Sequence, residues 1–482
     1  MEEYITTVGL EIHIQLKTKS KMFCSTSAEY FGAEPNSHTC PVCLGLPGAL
    51  PVINQKAVES AMKFGLALNC KVGKSSKFDR KNYFYPDLPK GYQISQYDLP
   101  IAYGGFVKLE SKLIRINRAH LEEDTGKLIH LRVNGEQVSL IDFNRSGVPL
   151  MEVVSEPDIE SPEEAKAYAK KIHQIARYLE IADVDMEKGG MRFDANISVR
   201  PKEQKTFGTK VEIKNINSFR FLERALVFEI ERQVRLLKSG GKVIQETRGW
   251  QESKGVTVSQ RTKETSPDYR YFPEPDLLPL SITEVQVRKL EIGLGELPDK
   301  KQKRFEETYK LDKFTAQTLT EDKYIAQWYE KALSIYSKNK LDEDKSKKIA
   351  NWVFGEIYRR LKEKNINIRD IPLEPASLVE LLLFIDRGEI NTGTAKEVLG
   401  RMFITGEMPA KIIKEENLVQ ISSLSELESL VAEVLSENKQ AVADLKNGKK
   451  ESIGFIVGQV MKKTQGKANP KAVVDIINKK IQ

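Results

Sequence analysis

Residues 8–16, VGLEIHIQL, alternate from Leu10 onward between apolar side chains and polar or charged ones. Successive side chains of a β-strand point to opposite faces, so the even-numbered residues share an apolar face. The opposite face carries Glu11, His13 and Gln15. A strand with one apolar face is typical of an antiparallel sheet that covers a core on one side only. The stretch predicts such a sheet, with an imidazole among polar groups on its open face.

Two later stretches repeat this alternation. The stretch RFDANISVR (192–200) places Arg192 and Asp194 on its polar face, and KVEIK (210–214) places Lys214 on its own. Two interpretations stay open from the pattern alone. The three faces are ordinary hydrated faces of a half-buried sheet, or they meet and form a site.

Two amphipathic helices lie among these strands. Ser161 suits the N-cap of the first, Pro162 its first turn, and Glu164 predicts a capping box. The second is predicted from about Ser218 to Lys238, because two glycines follow it. Helices among strands indicate a mixed domain rather than an all-β one.

The pattern changes after about residue 290. From about residue 300 the apolar residues recur at helical spacing, and a further break falls near Pro409. We predict an α+β chain of three parts: a mixed α/β domain with an antiparallel sheet (1–293), an all-helical domain (294–407) and a small helical tail domain (408–482).

The composition predicts a cytoplasmic protein. No apolar run approaches the roughly 20 residues of a membrane span, and the first residues lack the features of a signal peptide. In a reducing compartment the four cysteines are metal ligands or free thiols rather than disulfides. Cys40 and Cys43 have the spacing of a zinc knuckle, and Cys24 lies nearby. Two interpretations stay open, a zinc site and a set of reduced thiols, because His38 and Cys70 are poorly spaced as a fourth ligand.

The net charge of +7 is concentrated at the end of the chain. From Lys439 onward the sequence has ten Lys against three Asp or Glu, a net charge of +7. A basic helical tail is a candidate for binding phosphate backbones. A hydrated surface rich in lysine is the alternative.

Acidic residues recur in turns of the first domain. Glu122, Glu123 and Asp124 follow His120, and Glu152 lies in a later stretch with Glu156 nearby. Carboxylates with an imidazole suit Mg²⁺ or Mn²⁺ held together with phosphates, as phosphoryl transfer requires. The candidate cations beside such phosphates are Arg80, Lys81, Lys90, Arg192, Lys210 and Lys214. The aromatic segment 82–92 predicts a shaped loop over a ligand, with a packed surface loop as the alternative. Gly73-Lys74-Ser75 is not the end of a P-loop, because position 68 is Leu68.

Several long motifs together resemble the B subunits of the bacterial glutamyl/aspartyl-tRNA amidotransferases, over nearly the whole chain. The matching stretches are VGLEIH (8–13), FGAEPN (31–36) with CPVCLGLPG (40–48), KNYFYPDLPKGYQISQ (81–96), LEEDTGK (121–127), NRSGVPLMEVVSEPDI (144–159), RFDANISVRP (192–201), VEIKNINSFRF (211–221) and DYRYFPEPDLLPL (268–280). The resemblance implies a subunit that phosphorylates the side-chain carboxylate of Glu-tRNA(Gln) or Asp-tRNA(Asn) with ATP. Ammonia from the amidase (A) subunit then forms the amide, and the small (C) subunit holds the pair together. In the family a cradle domain carries this chemistry.

The resemblance also implies roles for single residues. His13, Glu123 and Glu152 resemble the Mg²⁺ ligands, with Glu122 and Glu156 as the alternatives for the two acids. Two further acids of the same pocket are Glu11 and Asp194. The expected contacts to phosphate or adenylate are Lys81, Tyr83 and Lys214.

One departure concerns zinc. Zinc-binding members of the family carry Cys-x-Cys before the CPVC motif, but Thr26 stands at the second of these positions. Cys24, Cys40 and Cys43 therefore predict a three-thiolate site, or none.

The tail is expected to grip the outer elbow of the tRNA. The alternatives to the catalytic role are a non-catalytic tRNA-clamping module and a ligase of a free amino acid.

Overall fold

A computed structural model describes residues 3–262, 269–338, 340, 342–418, 424–446, 449, 451–464 and 468–481. Asp268 of the last matching motif, and Lys450 and Lys467 of the tail, lie outside these residues. The chain divides into two compact units, Met1–Pro298 and Asp299–Gln482. None of the described helices is both long and apolar enough to cross a membrane.

In its described residues, the first unit contains the strands and four helices. The strands are β1 (Tyr4–Gln15), β2 (Lys71–Val72), β3 (Ser75–Ser76), β4 (Asp79–Asn82), β5 (Tyr92–Ser95), β6 (Ala102–Lys108), β7 (Leu113–Glu123), β8 (Lys127–Val133), β9 (Glu136–Asp142), β10 (Pro149–Ser155), β11 (Met191–Pro201), β12 (Val211–Ile216), β13 (Glu246–Gln251), β14 (Val256–Thr262), β15 (Arg270–Pro273) and β16 (Leu280–Ser281). The helices are α1 (Gln55–Ala67), α2 (Pro162–Tyr178), α3 (Phe219–Lys238) and α4 (Glu284–Ile292).

Within the described residues, twelve strands form one sheet, ordered β14-β13-β12-β11-β1-β10-β7-β5-β4-β15, with β6 on β7 and β2 on β6. Strands β12 and β13 run parallel, and the other described pairs of this sheet run antiparallel. Leu10, Ile12 and Ile14 of β1 are buried in a core with helices α1, α2 and α3. The predicted half-buried, largely antiparallel sheet is confirmed.

Helices α2 and α3 begin where the sequence predicts, with one difference in a cap. The Ser161 hydroxyl accepts a hydrogen bond from the Glu164 N–H at 3.2 Å, and Ser218 caps α3 in the same way. The Glu164 carboxylate, however, accepts from the N–H of Glu160 at 2.9 Å. The capping box predicted with Ser161 is therefore wrong in its second bond, because the acid reaches one residue further back.

The second unit is helical in its described part, as predicted. Its helices are α5 (Pro298–Tyr309), α6 (Lys313–Leu319), α7 (Lys323–Ser337), α8 (Glu343–Trp352), α9 (Arg359–Lys364), α10 (Pro375–Asp386), α11 (Thr392–Thr405), α12 (Pro409–Glu415), α13 (Leu424–Glu437), α14 (Lys439–Lys446), α15 (Ser452–Lys463) and α16 (Pro470–Ile481). A π-helical segment, Val353–Tyr358, joins α8 to α9. Asn469 caps α16 by accepting from the N–H of Lys471 at 3.0 Å.

Two separate hydrophobic cores lie within the second unit. One runs from Phe305 to Ile413, with Leu418 packed against it, and the other runs from Leu427 to Ile477. Helix α12 therefore packs with the first of these cores, although the predicted boundary at residue 407 assigns it to the tail. The boundaries at 293 and 407 stay predictions.

Candidate active site

Strand β1 brings distant parts of the chain together, because it lies between β10 and β11. His13 is paired with Glu152 of β10 and with Arg192 of β11. Glu11 is paired with Asp194. Residues directly opposite each other on paired strands share a face of the sheet. Strand β12 is paired with β11 in turn, with Glu212 opposite Asn196. The three stretches whose meeting the sequence left open thus form one continuous polar face.

His13 stands at the centre of an acidic cluster on this face. Its Nδ1 atom lies 3.3 Å from Glu122 Oε1, and its Nε2 atom lies 3.8 Å from Asp194 Oδ2. Ligand atoms of His13, Glu122 and Glu152 lie within 4.8 Å of one another, and so do those of Glu11, His13 and Asp194. Two groups of three potential metal ligands therefore share one imidazole.

The structure places Glu122 in this cluster and Glu123 outside it. Glu122 is paired with Leu150, two residues from Glu152 on the same face of β10. The Glu123 carboxylate lies on the other face, where it accepts from Lys90 and from the N–H of Ile94. Its placement follows from the period of two along β7.

Glu156 also lies outside the cluster. Its carboxylate accepts from the side-chain amide of Asn117 at 2.9 Å, in an exposed contact. Glu152, the acid chosen from the sequence, is the one opposite His13.

The electrostatics of the cluster favour a bound cation. Burial alone raises the pKa of Glu152, but His120 and His13 lower it well below its usual range. The pKa of Glu11 is raised by burial and then by the neighbouring charges of Glu152 and Asp194. Carboxylates this close repel one another when ionised, so a divalent cation among them relieves that repulsion. Oxygen ligands with one imidazole fit Mg²⁺ or Mn²⁺.

Lysines border the cluster on both sides. The Lys214 ammonium lies 2.8 Å from Asp194 Oδ2 and 3.1 Å from Glu212 Oε1. The Lys81 ammonium lies 5.0 Å from the centre of the Tyr269 ring and 5.9 Å from that of Tyr83. These distances place both cations beside anionic or aromatic groups.

Carboxylates hold these two lysines in their charged forms. Burial opposes the charge of Lys81, yet Glu122 and other neighbours raise its pKa overall. Burial likewise opposes the charge of Lys214, yet Asp194 and Glu212 raise its pKa. The face therefore offers two fixed cations to a phosphate-bearing ligand.

His120 and Asp124 were named from the sequence, but their contacts in this region were not predicted. The His120 Nε2 atom lies 3.4 Å from Glu152 Oε2, and His120 is buried. Buried Asp124 holds the Arg192 guanidinium through both terminal nitrogens, at 3.1 Å each. No local pattern marks either contact, because each joins strands far apart in the chain.

The three cysteines of the knuckle converge as well. The sulfurs of Cys24, Cys40 and Cys43 lie within 4.8 Å of one another. The buried Lys21 ammonium lies 3.7 Å from Cys43 Sγ and 2.7 Å from the carbonyl oxygen of His38. The pKa of Cys43 falls to about 5, chiefly through its hydrogen bond with Cys24 and also through Lys21.

These donors fit zinc only in part. A closed structural zinc site has four ligands, whereas the group found among the described residues has three thiols. Cys70 is buried in the core of the sheet domain, and the His38 ring contacts Ser37 at 3.1 Å. Lys21, which the sequence analysis missed, supplies a positive charge where the fourth ligand is lacking.

Comparisons with known proteins show the family of this chain. The family described as GatB/GatE catalytic domain matches residues 6–288, and the family described as GatB domain matches residues 335–481. The chain is 50% identical over 486 residues to the B subunit of the aspartyl/glutamyl-tRNA(Asn/Gln) amidotransferase of Carboxydothermus hydrogenoformans, covering 100% of this chain and 99% of that protein. The identically named protein of Persephonella marina is 50% identical over 479 residues, covering 98% of this chain and 99% of that protein. That of Geotalea daltonii is 49% identical over 485 residues and covers both chains fully (100%). The chain therefore belongs to the family of aspartyl/glutamyl-tRNA(Asn/Gln) amidotransferase B subunits, with a GatB/GatE catalytic domain in its first unit.

Proposed function

We propose that this chain is the tRNA-binding, ATP-using subunit of a cytoplasmic heterotrimeric amidotransferase. It phosphorylates the side-chain carboxylate of Glu-tRNA(Gln) or Asp-tRNA(Asn) and then forms the amide with ammonia. Its partners are the amidase (A) subunit, which releases the ammonia from glutamine, and the small (C) subunit. The observation that carries the proposal is the convergence of acids, an imidazole and lysines on one face around β1.

The chemistry requires activation of the carboxylate, because an ionised carboxylate resists attack by ammonia. A carboxylate oxygen attacks the γ-phosphorus of ATP, and the bond to ADP breaks. Ammonia then adds to the acyl carbon, inorganic phosphate leaves with the bonding electrons, and the nitrogen loses a proton. Both steps depend on positioning and on compensation of phosphate charge.

Each group of residues has a task in this scheme. His13, Glu122 and Glu152 hold Mg²⁺, with Glu122 in place of Glu123 because of its side of β7. When bound, Mg²⁺ neutralises charge on the phosphates. Glu11 and Asp194 line the same pocket and hold a second cation.

The cations and the aromatic loop bind the nucleotide. Lys81 and Lys214 contact the phosphates from two sides of the cluster. The ring of Tyr83, edge-on to Tyr269 at 5.5 Å, orients Lys81. Lys214 exchanges its present carboxylate partners, Asp194 and Glu212, for the incoming phosphates.

Two further parts complete the proposal. Cys24, Cys40 and Cys43 are the residues that would hold a zinc ion, which would brace the loop without taking part in the chemistry; the alternative is a set of reduced thiols beside Lys21. The basic tail contacts tRNA phosphates, so its binding weakens with salt.

The test is the variant His13→Ala in the purified heterotrimer. The assay supplies ATP, Mg²⁺, Glu-tRNA(Gln) and either glutamine or ammonium, and it measures the amide product. We expect amide formation to fall at least about 100-fold with both nitrogen sources, because the shared ligand of both groups is lost. Glutamine hydrolysis and tRNA affinity remain.

The matched control is His130→Ala, since His130 is exposed on the hairpin β8–β9. It is expected to retain full activity. Amide formation that survives His13→Ala would instead indicate a non-catalytic tRNA-clamping module. Turnover of free glutamate without tRNA would indicate a ligase of a free amino acid.

A further inference from the structure

A second concavity lies along the same sheet face, next to Glu11. It has a volume of about 260 Å³. Gly9 of β1, Asn196 of β11 and Phe207 of the following loop are among the residues that line it. Glu11, two residues from Gly9, also lines it, so the concavity adjoins the acidic cluster.

Neither the backbone conformation nor the packing requires a glycine at position 9. Its backbone is not in the left-handed region that favours glycine, and the nearest atom to an added Cβ would be the Ser155 carbonyl oxygen at 3.8 Å. That distance is an ordinary van der Waals contact. Glycine inside a strand weakens folding relative to alanine, so its presence here calls for another explanation. An occupant close to the backbone supplies one.

The opposite wall is a loop pressed onto β11. A Cβ on Gly208 would lie 2.2 Å from the carbonyl oxygen of Val199, so only glycine fits at this point. This close approach fixes the neighbouring Phe207, which remains 64% exposed. An exposed aromatic ring fixed at the wall of a cavity is a platform on which a planar group stacks.

The polar groups of the concavity are neutral apart from Glu11 and Lys210. Thr7 and Ser198 offer hydroxyl groups, and the Asn196 amide donates to Glu11 Oε1 at 2.8 Å. Lys210 is the cation among the residues that line the space, and in the described part of the chain it forms no hydrogen bond or ion pair. Asn196 thereby links the concavity to the acidic cluster.

We propose that this concavity binds the 3′-terminal nucleotide of the acyl-tRNA. This assignment rests on the proposed function. A base stacks on Phe207, the hydroxyl and amide groups bind its edge and its ribose, and Lys210 contacts the single phosphodiester. The acyl group on that ribose then extends past Asn196 towards Glu11 and His13. Lys81 and Lys214, which suit the phosphates of ATP, border the acidic cluster, so the adenosine of ATP is the competing occupant that the KM measurements distinguish.

The main test uses Gly9→Val in the heterotrimer, with ammonium as the nitrogen source. The new side chain fills the floor of the concavity and is tolerated by the strand. We expect KM for Glu-tRNA(Gln) to rise at least tenfold, KM for ATP to change less than twofold, and Tm to stay equal or rise.

A second variant tests the stacking wall. Phe207→Ala is expected to raise KM for Glu-tRNA(Gln) at least fivefold. Its control is Phe314→Ala, because Phe314 is also 64% exposed but lies in the second unit. The control is expected to leave both KM values unchanged.

A binding measurement identifies the occupant directly. The wild-type complex is expected to bind intact tRNA more tightly than tRNA that lacks its terminal adenosine, and Gly9→Val is expected to bind the two equally. A rise in KM for ATP alone would assign the space to the adenosine of ATP and overturn the proposal. So would unchanged KM values for both substrates. A wild-type heterotrimer that forms no amide with ATP would instead refute the proposed function.

Discussion

At the scale of single residues, His120 is a buried imidazole beneath the acidic cluster. It is 3% exposed, and its Nδ1 atom has no hydrogen-bond partner among the described residues. Its Nε2 atom faces the Glu152 carboxylate at 3.4 Å, so the N–H is assigned to Nε2. A carboxylate that binds a metal needs such a donor to fix its orientation.

His120→Leu is therefore expected to loosen Glu152 without removing a ligand. We expect the Mg²⁺ concentration for half-maximal amide formation to rise about 10- to 100-fold. His120→Gln keeps a donor at this position and is expected to recover part of the loss. Titration of activity with Mg²⁺ measures this. An unchanged Mg²⁺ requirement in His120→Leu would contradict the role.

Glu122 and Glu123 differ by one position and face opposite ways. Glu122→Gln is expected to reduce amide formation at least about 100-fold with little change in Tm, because it removes a proposed ligand. Glu123→Gln weakens the contacts with Lys90 and the Ile94 N–H and is expected to cost about 1–2 kcal/mol of stability, with most activity kept. Parallel activity and Tm measurements compare them. A larger loss of activity in Glu123→Gln than in Glu122→Gln would indicate that Glu123 is the ligand.

Local alternation already contained the information that separates these two acids. Leu121 belongs to the apolar set of β7, so its neighbours His120 and Glu122 face the other side. The contact of His120 with Glu152 could not be predicted in the same way, because pairing of β7 with β10 is not encoded in either strand alone.

At the scale of elements, the periods of strands and helices were predictable and the pairings were not. The polar faces of β1 and β11 followed from alternation, and the N-cap of α2 followed from Ser161. The pairing of β1 with a strand about 180 residues away depends on the closure of a long loop, for which the sequence has no local signal. Alternation therefore made the polar face of each single strand predictable. The assembled site was not predictable, because it depends on the pairing of the strands.

Helix α2 contains a titratable group that links its packing to pH. His173 packs edge-on against Phe219 at 5.5 Å, and burial, followed by the nearby Arg177, lowers its pKa to about 4. The unfolded chain binds this proton near pH 6.5, whereas the folded chain binds it only near pH 4. This contribution is complete above pH 6.5 and is lost as the pH falls towards 4.

We expect wild type to lose about 1–3 kcal/mol of stability through this group between those pH values. The variant His173→Gln is expected to show a flatter dependence of the free energy of unfolding on pH in that window. Denaturant titrations at several pH values measure it. His130→Gln, at an exposed position, serves as the control, and equal slopes in wild type and His173→Gln would contradict the prediction.

At the scale of the whole molecule, separate hydrophobic cores indicate where the chain can be cut. Helix α12 contributes Ile412 and Ile413 to the core that ends near Leu418, so a cut at residue 408 would expose them. The charge pattern predicted a basic tail, but it could not show which core α12 joins. A cut after Leu418 leaves the preceding core whole.

The chain truncated after Leu418 is expected to bind tRNA at least about tenfold more weakly at moderate salt. The slope of log affinity against log salt is expected to become shallower, by about one for each phosphate that the tail no longer neutralises. Filter binding of the assembled complex at several salt concentrations measures both quantities. An affinity and a slope equal to those of the full chain would place the tRNA contacts elsewhere.

Strand β1 supplies four buried side chains to the core and two groups to the site from alternating positions. Removing or adding one residue early in this strand would turn His13 towards the hydrophobic core and an isoleucine towards the solvent. This segment can therefore change in evolution by substitution. An insertion or deletion in it would disrupt both the hydrophobic core and the catalytic site.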